Sequence, residues 1–152
     1  YTFAAKMTNM KQITIKVAWN NSAFEGLVSS ETSYGEMKIV TKDFNDIIDM
    51  GEAELKIGFD GYTEFGLELP EWYKNKEYEF VYKFQDVTAM LKAYSSYVSL
   101  AAISRETGIN SALLSHYANG LKVPRNKQQK IIVAGLHRIG ALLSKCTIDD
   151  ER

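Results

Sequence analysis

The sequence predicts an α+β protein of two lobes, on three observations. Alternating apolar residues, the mark of half-buried strands, occur only between residues 11 and 85. From residue 99 onward no strand pattern is present, only helical spacing. The charge also reverses: residues 1–98 hold 10 Lys and Arg against 15 Asp and Glu, whereas residues 99–145 hold seven basic residues against Glu106 alone. The overall charge of −1 conceals this division. A basic third beside an acidic two-thirds implies different partners for the two lobes.

The elements follow in chain order. YTFAAKMTNM, residues 1–10, reads as a leader too short and polar for a signal peptide, with Met7 and Met10 leaving the true start open. In KQITIKVAW, Ile13, Ile15, Val17 and Trp19 alternate with Gln12, Thr14, Lys16 and Ala18, which predicts a strand. NNS at 20–22 signals a turn, AFEGLV a return strand, and EMKIVTK a third strand after Tyr34 and Gly35. Phe44, Ile47, Ile48, Gly51 and Leu55 then share one helical stripe, with Asp43 placed to cap it and Asp46 suited to its first-turn dipole. FDGYTEFG and LPEW read as loop. EYEFVYKF reads as a fourth strand, with Tyr78, Phe80, Tyr82 and Phe84 on one face. The first lobe is therefore β-β-β-α-β over residues 11–85, and QDVTAMLKAYSS makes a connecting helix within the 86–98 boundary.

Residues 99–145 form the second lobe. SLAAISRETG opens on a good N-cap, Ser99, and closes on Gly108, the usual residue for a left-handed helix end. INSALLSHYANG is a second short helix, starting near Asn110 or Ser111 and ending at Gly120. Two short helices joined by a tight glycine turn match the helix-turn-helix arrangement. Ile103, Ile109, Leu114 and Tyr117 would form its small core, leaving Ser111, Ala112, Ser115 and His116 on the outer face. Short, mostly polar side chains suit a helix pressed into a major groove. Pro124 precedes a long third helix whose stripe is Ile132, Leu136, Ile139 and Leu143. A plain helical bundle has the same spacing. The basic residues Lys122, Arg125, Lys127 and Lys130, following directly on the second helix, favour DNA. Residues 146–152 are an acidic tail.

LAAISRETGINSALLSHYANGLKVP resembles the DNA-binding module of the lambda-repressor and Cro (XRE) class, matching its G-I-(S/N)-x-x-x-(L/I)-S-x-x-x-x-G-x-x-x-P pattern. The wider run from YEFVYKF to the third helix is similar to HicB-like antitoxins with a C-terminal helix-turn-helix. That resemblance covers residues 78–145 closely and residues 11–77 by topology. It implies base reading by Ser111, Ala112 and His116, and phosphate contacts by Asn110, Ser115, Asn119, Lys122, Arg125 and Lys127. Three positions depart from the class: Ser104 replaces Ala, Leu113 a small polar residue, and Ala112 a Gln or Ser. Ala112 makes no bidentate hydrogen bond but suits a thymine methyl. For the first lobe, the resemblance implies a truncated RNase-H-like domain of HicB type. That domain would hold a small, basic, RNA-cleaving, HicA-like toxin through complementary charge. A homodimer or higher even oligomer on the protein's own two-fold operator follows. An acidic scaffold that only dimerises the DNA-binding lobes, or senses a ligand, is the alternative.

Catalysis is not expected. Asp43, Asp46 and Asp49 read as one cap and a solvated helix face, and residues 11–24 lack the first-strand carboxylate of an RNase-H-type nuclease. His137 sits on a helix flank, Cys146 has no neighbouring base, no zinc spacing or phosphate loop is present, and neither cofactor nor metal is expected. With a single cysteine and no long apolar run, a soluble cytoplasmic protein is the expectation.

Overall fold

A computed structural model describes residues 10–29 and 36–150. The expected leader and the Tyr34–Gly35 turn signal fall largely or wholly outside them. The fold is α+β, with one four-stranded sheet and six helices among the described residues. The chain divides into two compact units, residues 1–89 and 90–152.

In the first unit, β1 (Lys11–Asn20) and β2 (Ala23–Val28) form an antiparallel hairpin, Asn20 facing Ala23. Its two loop residues, Asn21 and Ser22, both adopt positive φ (50° and 61°), as the right-handed twist of paired strands demands. β3 (Met37–Thr41) adds antiparallel to β2, and β4 (Tyr78–Phe84) adds parallel to β1, giving the order β3-β2-β1-β4. The alternation sends Ile13, Ile15, Val17, Phe24, Val28 and Ile39 into the core. The β4 aromatics remain half-buried, because β4 is an edge strand with β1 as its one partner.

A single 3-10 turn (Phe44–Asp46) leads into α1 (Ile47–Glu64). Asp43 caps the turn, its carboxylate accepting the Asn45 N–H at 3.0 Å; Asp46 makes no side-chain cap bond. The buried stripe is Phe44, Ile47, Gly51, Leu55 and Phe59. Ile48, expected in the stripe, is instead 48% exposed. At Gly51 a Cβ would stand 3.1 Å from the Phe80 ring, so glycine lets the helix approach the sheet.

Two segments expected as loops are helical. α1 runs through FDGYTE and stops at Gly66 (φ 68°), where the Leu67 N–H donates to Tyr62 O at 2.8 Å. Residues Glu71–Lys74 form a single-turn helix, α2. The physical reason is Phe59, which is 1% exposed and packs its ring on Trp72 and Tyr73 (centroids 5.6 and 4.2 Å). Burying that ring outweighs the roughly 1 kcal/mol that Gly61 costs a helix.

α3 (Val87–Tyr94) starts where the Asp86 carboxylate accepts the Ala89 N–H at 2.8 Å. The division between the units falls inside this helix. The second unit then holds α4 (Leu100–Thr107), α5 (Ser111–Ala118) and α6 (Asn126–Leu143). Ile103, Ile109, Leu114, Tyr117 and Ile132 are among its buried side chains, and Gly135 is buried with them. A Cβ on Gly135 would meet Thr107 Cγ2 at 2.6 Å, so α6 packs against the end of α4 through a glycine. The expected third-helix stripe is corrected: Ile132 is buried, Leu136 and Ile139 are half-buried, and Leu143 is 61% exposed. Helix α6 outruns α4 and α5, which are eight residues each against its 18, so its last turns lose the neighbours a stripe needs.

Candidate nucleic-acid interface

Each end of the α4–α5 pair is set by a local group. The Ser99 hydroxyl accepts the Ala102 N–H at 3.1 Å, and Gly108 (φ 76°) closes α4 with its N–H on Ser104 O at 2.9 Å. The Asn110 side-chain oxygen accepts the Leu113 N–H at 2.8 Å and so starts α5. The helix ends at Ala118, two residues before the expected end. Gly120 (φ 73°) supplies the left-handed residue, and the Leu121 N–H donates to His116 O at 2.9 Å. Leu114 and Tyr117 face inward, which fixes the rotation of α5.

That rotation leaves Ser111 and Ala112 exposed and Ser115 and His116 half-buried. Asn119 donates to the Ser115 hydroxyl at 3.4 Å, so two of the expected phosphate ligands form one polar pair on the same side of the helix. Asn110 spends its oxygen on capping and retains its amide as a donor. Lys122, Arg125 and Lys127 are exposed, and none makes an ion pair among the described residues. Arg125 and Lys127 stand at the start of α6, which has no side-chain cap and no acid in its first turn. Cations there add to the positive end of the helix dipole, so this end carries concentrated positive charge.

Glu106 is the one carboxylate between residues 87 and 148. Arg138 engages it through Nε (2.5 Å to Oε1) and donates from Nη2 to its backbone carbonyl (3.0 Å). The sequence reading missed this pair, which ties the end of α4 to α6 and neutralises the one carboxylate of residues 99–145. The pairing brings together residues 32 apart on different helices, and no spacing rule signals it. Two other weak candidates, His137 and Cys146, are exposed. Among the described residues no three His, Cys, Asp or Glu side chains gather at metal-binding distance, and no helix is long and apolar enough to cross a membrane.

The first unit contains a feature the sequence reading also missed. An open recess of about 420 Å³ lies among α1, α2 and β4, lined by Glu52, Lys56, Tyr73, Lys74, Lys76 and Tyr78. The Tyr78 hydroxyl donates to the Glu52 carboxylate, and burial, reinforced by that bond, pushes the Tyr78 pKa well above its usual value. Burial also raises Tyr73, with the nearby Asp60 charge acting the same way. The signal was present as WYKNKEY, but it fell between LPEW, read as loop, and EYEFVYKF, read as strand.

Comparison with protein-family models, curated sequences and solved structures gives no match.

Proposed function

We propose that residues 99–145 bind duplex DNA as a helix-turn-helix of the XRE type, and that the acidic HicB-like first unit holds a small, basic, RNA-cleaving toxin. The protein is then an antitoxin that represses its own operon. One observation carries the DNA half. Lys122, Arg125 and Lys127, exposed and without an ion pair among the described residues, follow directly on a helix with a small polar outer face, and Arg138 engages Glu106, the one carboxylate between residues 87 and 148. Helix α5 would lie in the major groove, with Ser111, Ala112 and His116 at base edges. Asn110, Ser115, Asn119 and the three cations would face phosphates. One eight-residue helix reads few base pairs, so a dimer on a two-fold operator is expected.

The test is binding to the upstream duplex of the gene, measured by anisotropy over a series of salt concentrations. Lys122→Ala should weaken binding to all duplexes alike and lower the log–log salt slope by about 0.9. His116→Ala should change base preference. If neither substitution alters binding, α5 is not the groove element. The toxin half is tested by co-expression with the product of an adjacent small reading frame. A stoichiometric complex through residues 11–85 supports it, and a chain that purifies alone and still binds its promoter refutes it. The second outcome would favour a stand-alone regulator with a ligand-sensing first unit, a reading that the recess beside Tyr73 and Tyr78 supports.

A further inference from the structure

We propose that the recess among α1, α2 and β4 binds a small ligand made of a planar ring bearing an anionic group, a nucleotide or an aromatic carboxylate. The proposal concerns the first unit alone and does not rest on DNA binding by the second. The volume, about 420 Å³, falls in the roughly 300–1,000 Å³ range of small-molecule sites. Two tyrosine rings, Tyr73 and Tyr78, line it near-parallel (18° between planes, centroids 6.1 Å apart) and supply an aromatic wall. The Glu52 carboxylate on the same wall accepts the Tyr78 hydroxyl hydrogen bond through one oxygen and keeps its negative charge.

Three lysines, Lys56, Lys74 and Lys76, stand on the rim, and two of them are neutralised by neighbouring carboxylates. Lys56 is held by Asp60 at 2.7 Å and Lys74 by Glu71 at 3.3 Å. Lys76 is exposed and makes no ion pair among the described residues.

Its backbone position is the telling feature. Helices α1, α2 and α5 end in the same way, with one residue in the left-handed region and paired N–H bonds back into the last turn. In α1 and α5 that residue is glycine: Gly66 and Gly120. In α2 it is Lys76 (φ 53°), whose N–H donates to Tyr73 O at 3.2 Å while the Glu77 N–H donates to Trp72 O at 2.8 Å. An L side chain there costs about 1 kcal/mol that glycine would avoid. The side chain retained at that cost is the one unpaired ammonium on the recess, beside the tyrosines. A ring stacking on Tyr73 or Tyr78 with its anion on Lys76 uses both features.

The experiment is an NMR titration of the full-length chain with four probes: adenosine monophosphate, adenosine, inorganic phosphate and indole-3-acetate. Saturable shifts at Tyr73, Lys76 and Tyr78 are expected, with a ring–anion probe binding at least about tenfold tighter than adenosine or phosphate. Tighter binding of adenosine monophosphate would assign a nucleotide, and tighter binding of indole-3-acetate an aromatic carboxylate. Lys76→Gly suits the backbone and should keep the fold while losing that tenfold gain, and Lys76→Arg should restore it. No saturable shift at millimolar probe, shifts elsewhere in the protein, or unchanged affinity in Lys76→Gly would each overturn the proposal.

Discussion

Helices α4 and α5 of the second unit are bounded by their immediate neighbours in sequence, whereas the course of α1 past Gly61 and the placing of α2 are shaped by rings packed from further along the chain. Ser99, Gly108, Asn110 and Gly120 each start or stop a helix with a bond that spans five residues or fewer. In contrast, α1 passes over Gly61 because Phe59 is clasped by Trp72 and Tyr73, whose own helix has no side-chain cap. Locally bounded helices tolerate changes elsewhere. A helix held by a ring cluster depends on every ring in it.

Breaking the cluster should produce the largest effect. Phe59→Ala is expected to destabilise the first unit by roughly 3–5 kcal/mol and to fray α1 beyond about residue 58 together with α2. Calorimetry and amide exchange would measure this. A loss below 1 kcal/mol, with residues 59–64 still protected, would sink the idea that the rings override Gly61. Gly135→Ala comes next. Its methyl meets Thr107 at 2.6 Å, so overpacking of about 1–3 kcal/mol should exceed the roughly 1 kcal/mol gained in helix propensity. The second unit should melt earlier while the first is unchanged, and an equal or higher melting point would mean α4 and α6 separate freely.

Asn110→Ala should cost the least, about 1 kcal/mol, for loss of the α5 cap. It also sharpens the comparison when set against Asn110→Asp. The aspartate keeps a capping oxygen but brings a negative charge to the proposed phosphate face. Stability should be retained while DNA affinity falls, as equilibrium melting and anisotropy together would report. If both substitutions leave DNA affinity untouched, Asn110 is a cap alone.

This division also governs what was legible in the sequence. The four strands and the stripe from Phe44 to Leu55 carry their signal in side-chain period, and the second-unit caps carry theirs in residue type. The helical stretch at 59–64 was unreadable because Gly61 and the turn-like FDG signal favour a break, and the contact that overrules them lies 13–14 residues away. Leu143 misled for the opposite reason: its spacing was correct, but it stays 61% exposed, at the end of a helix longer than α4 and α5. Of the candidate interface, the residues Ser111, Ala112, His116 and Lys122 were legible from α5 and its charge context. The Glu106–Arg138 tie and the tyrosine recess were not, since both join positions that only the tertiary fold makes neighbours.

The parallel pairing of β1 with β4 has a consequence for how the chain is made. β1 lies second from the edge of the finished sheet, yet the partner on its outer side, Tyr78–Phe84, is synthesised more than fifty residues after the β1–β2 hairpin is complete. At about 5–20 residues per second, one edge of an Ile- and Val-rich strand stays open for several seconds on the ribosome. Such an edge is a template for pairing with another nascent chain. Proteolysis of stalled chains ending before and after residue 84 should show protection of β1 appearing only in the longer ones. Slower translation through residues 29–77 should therefore lengthen the time that this edge stays open.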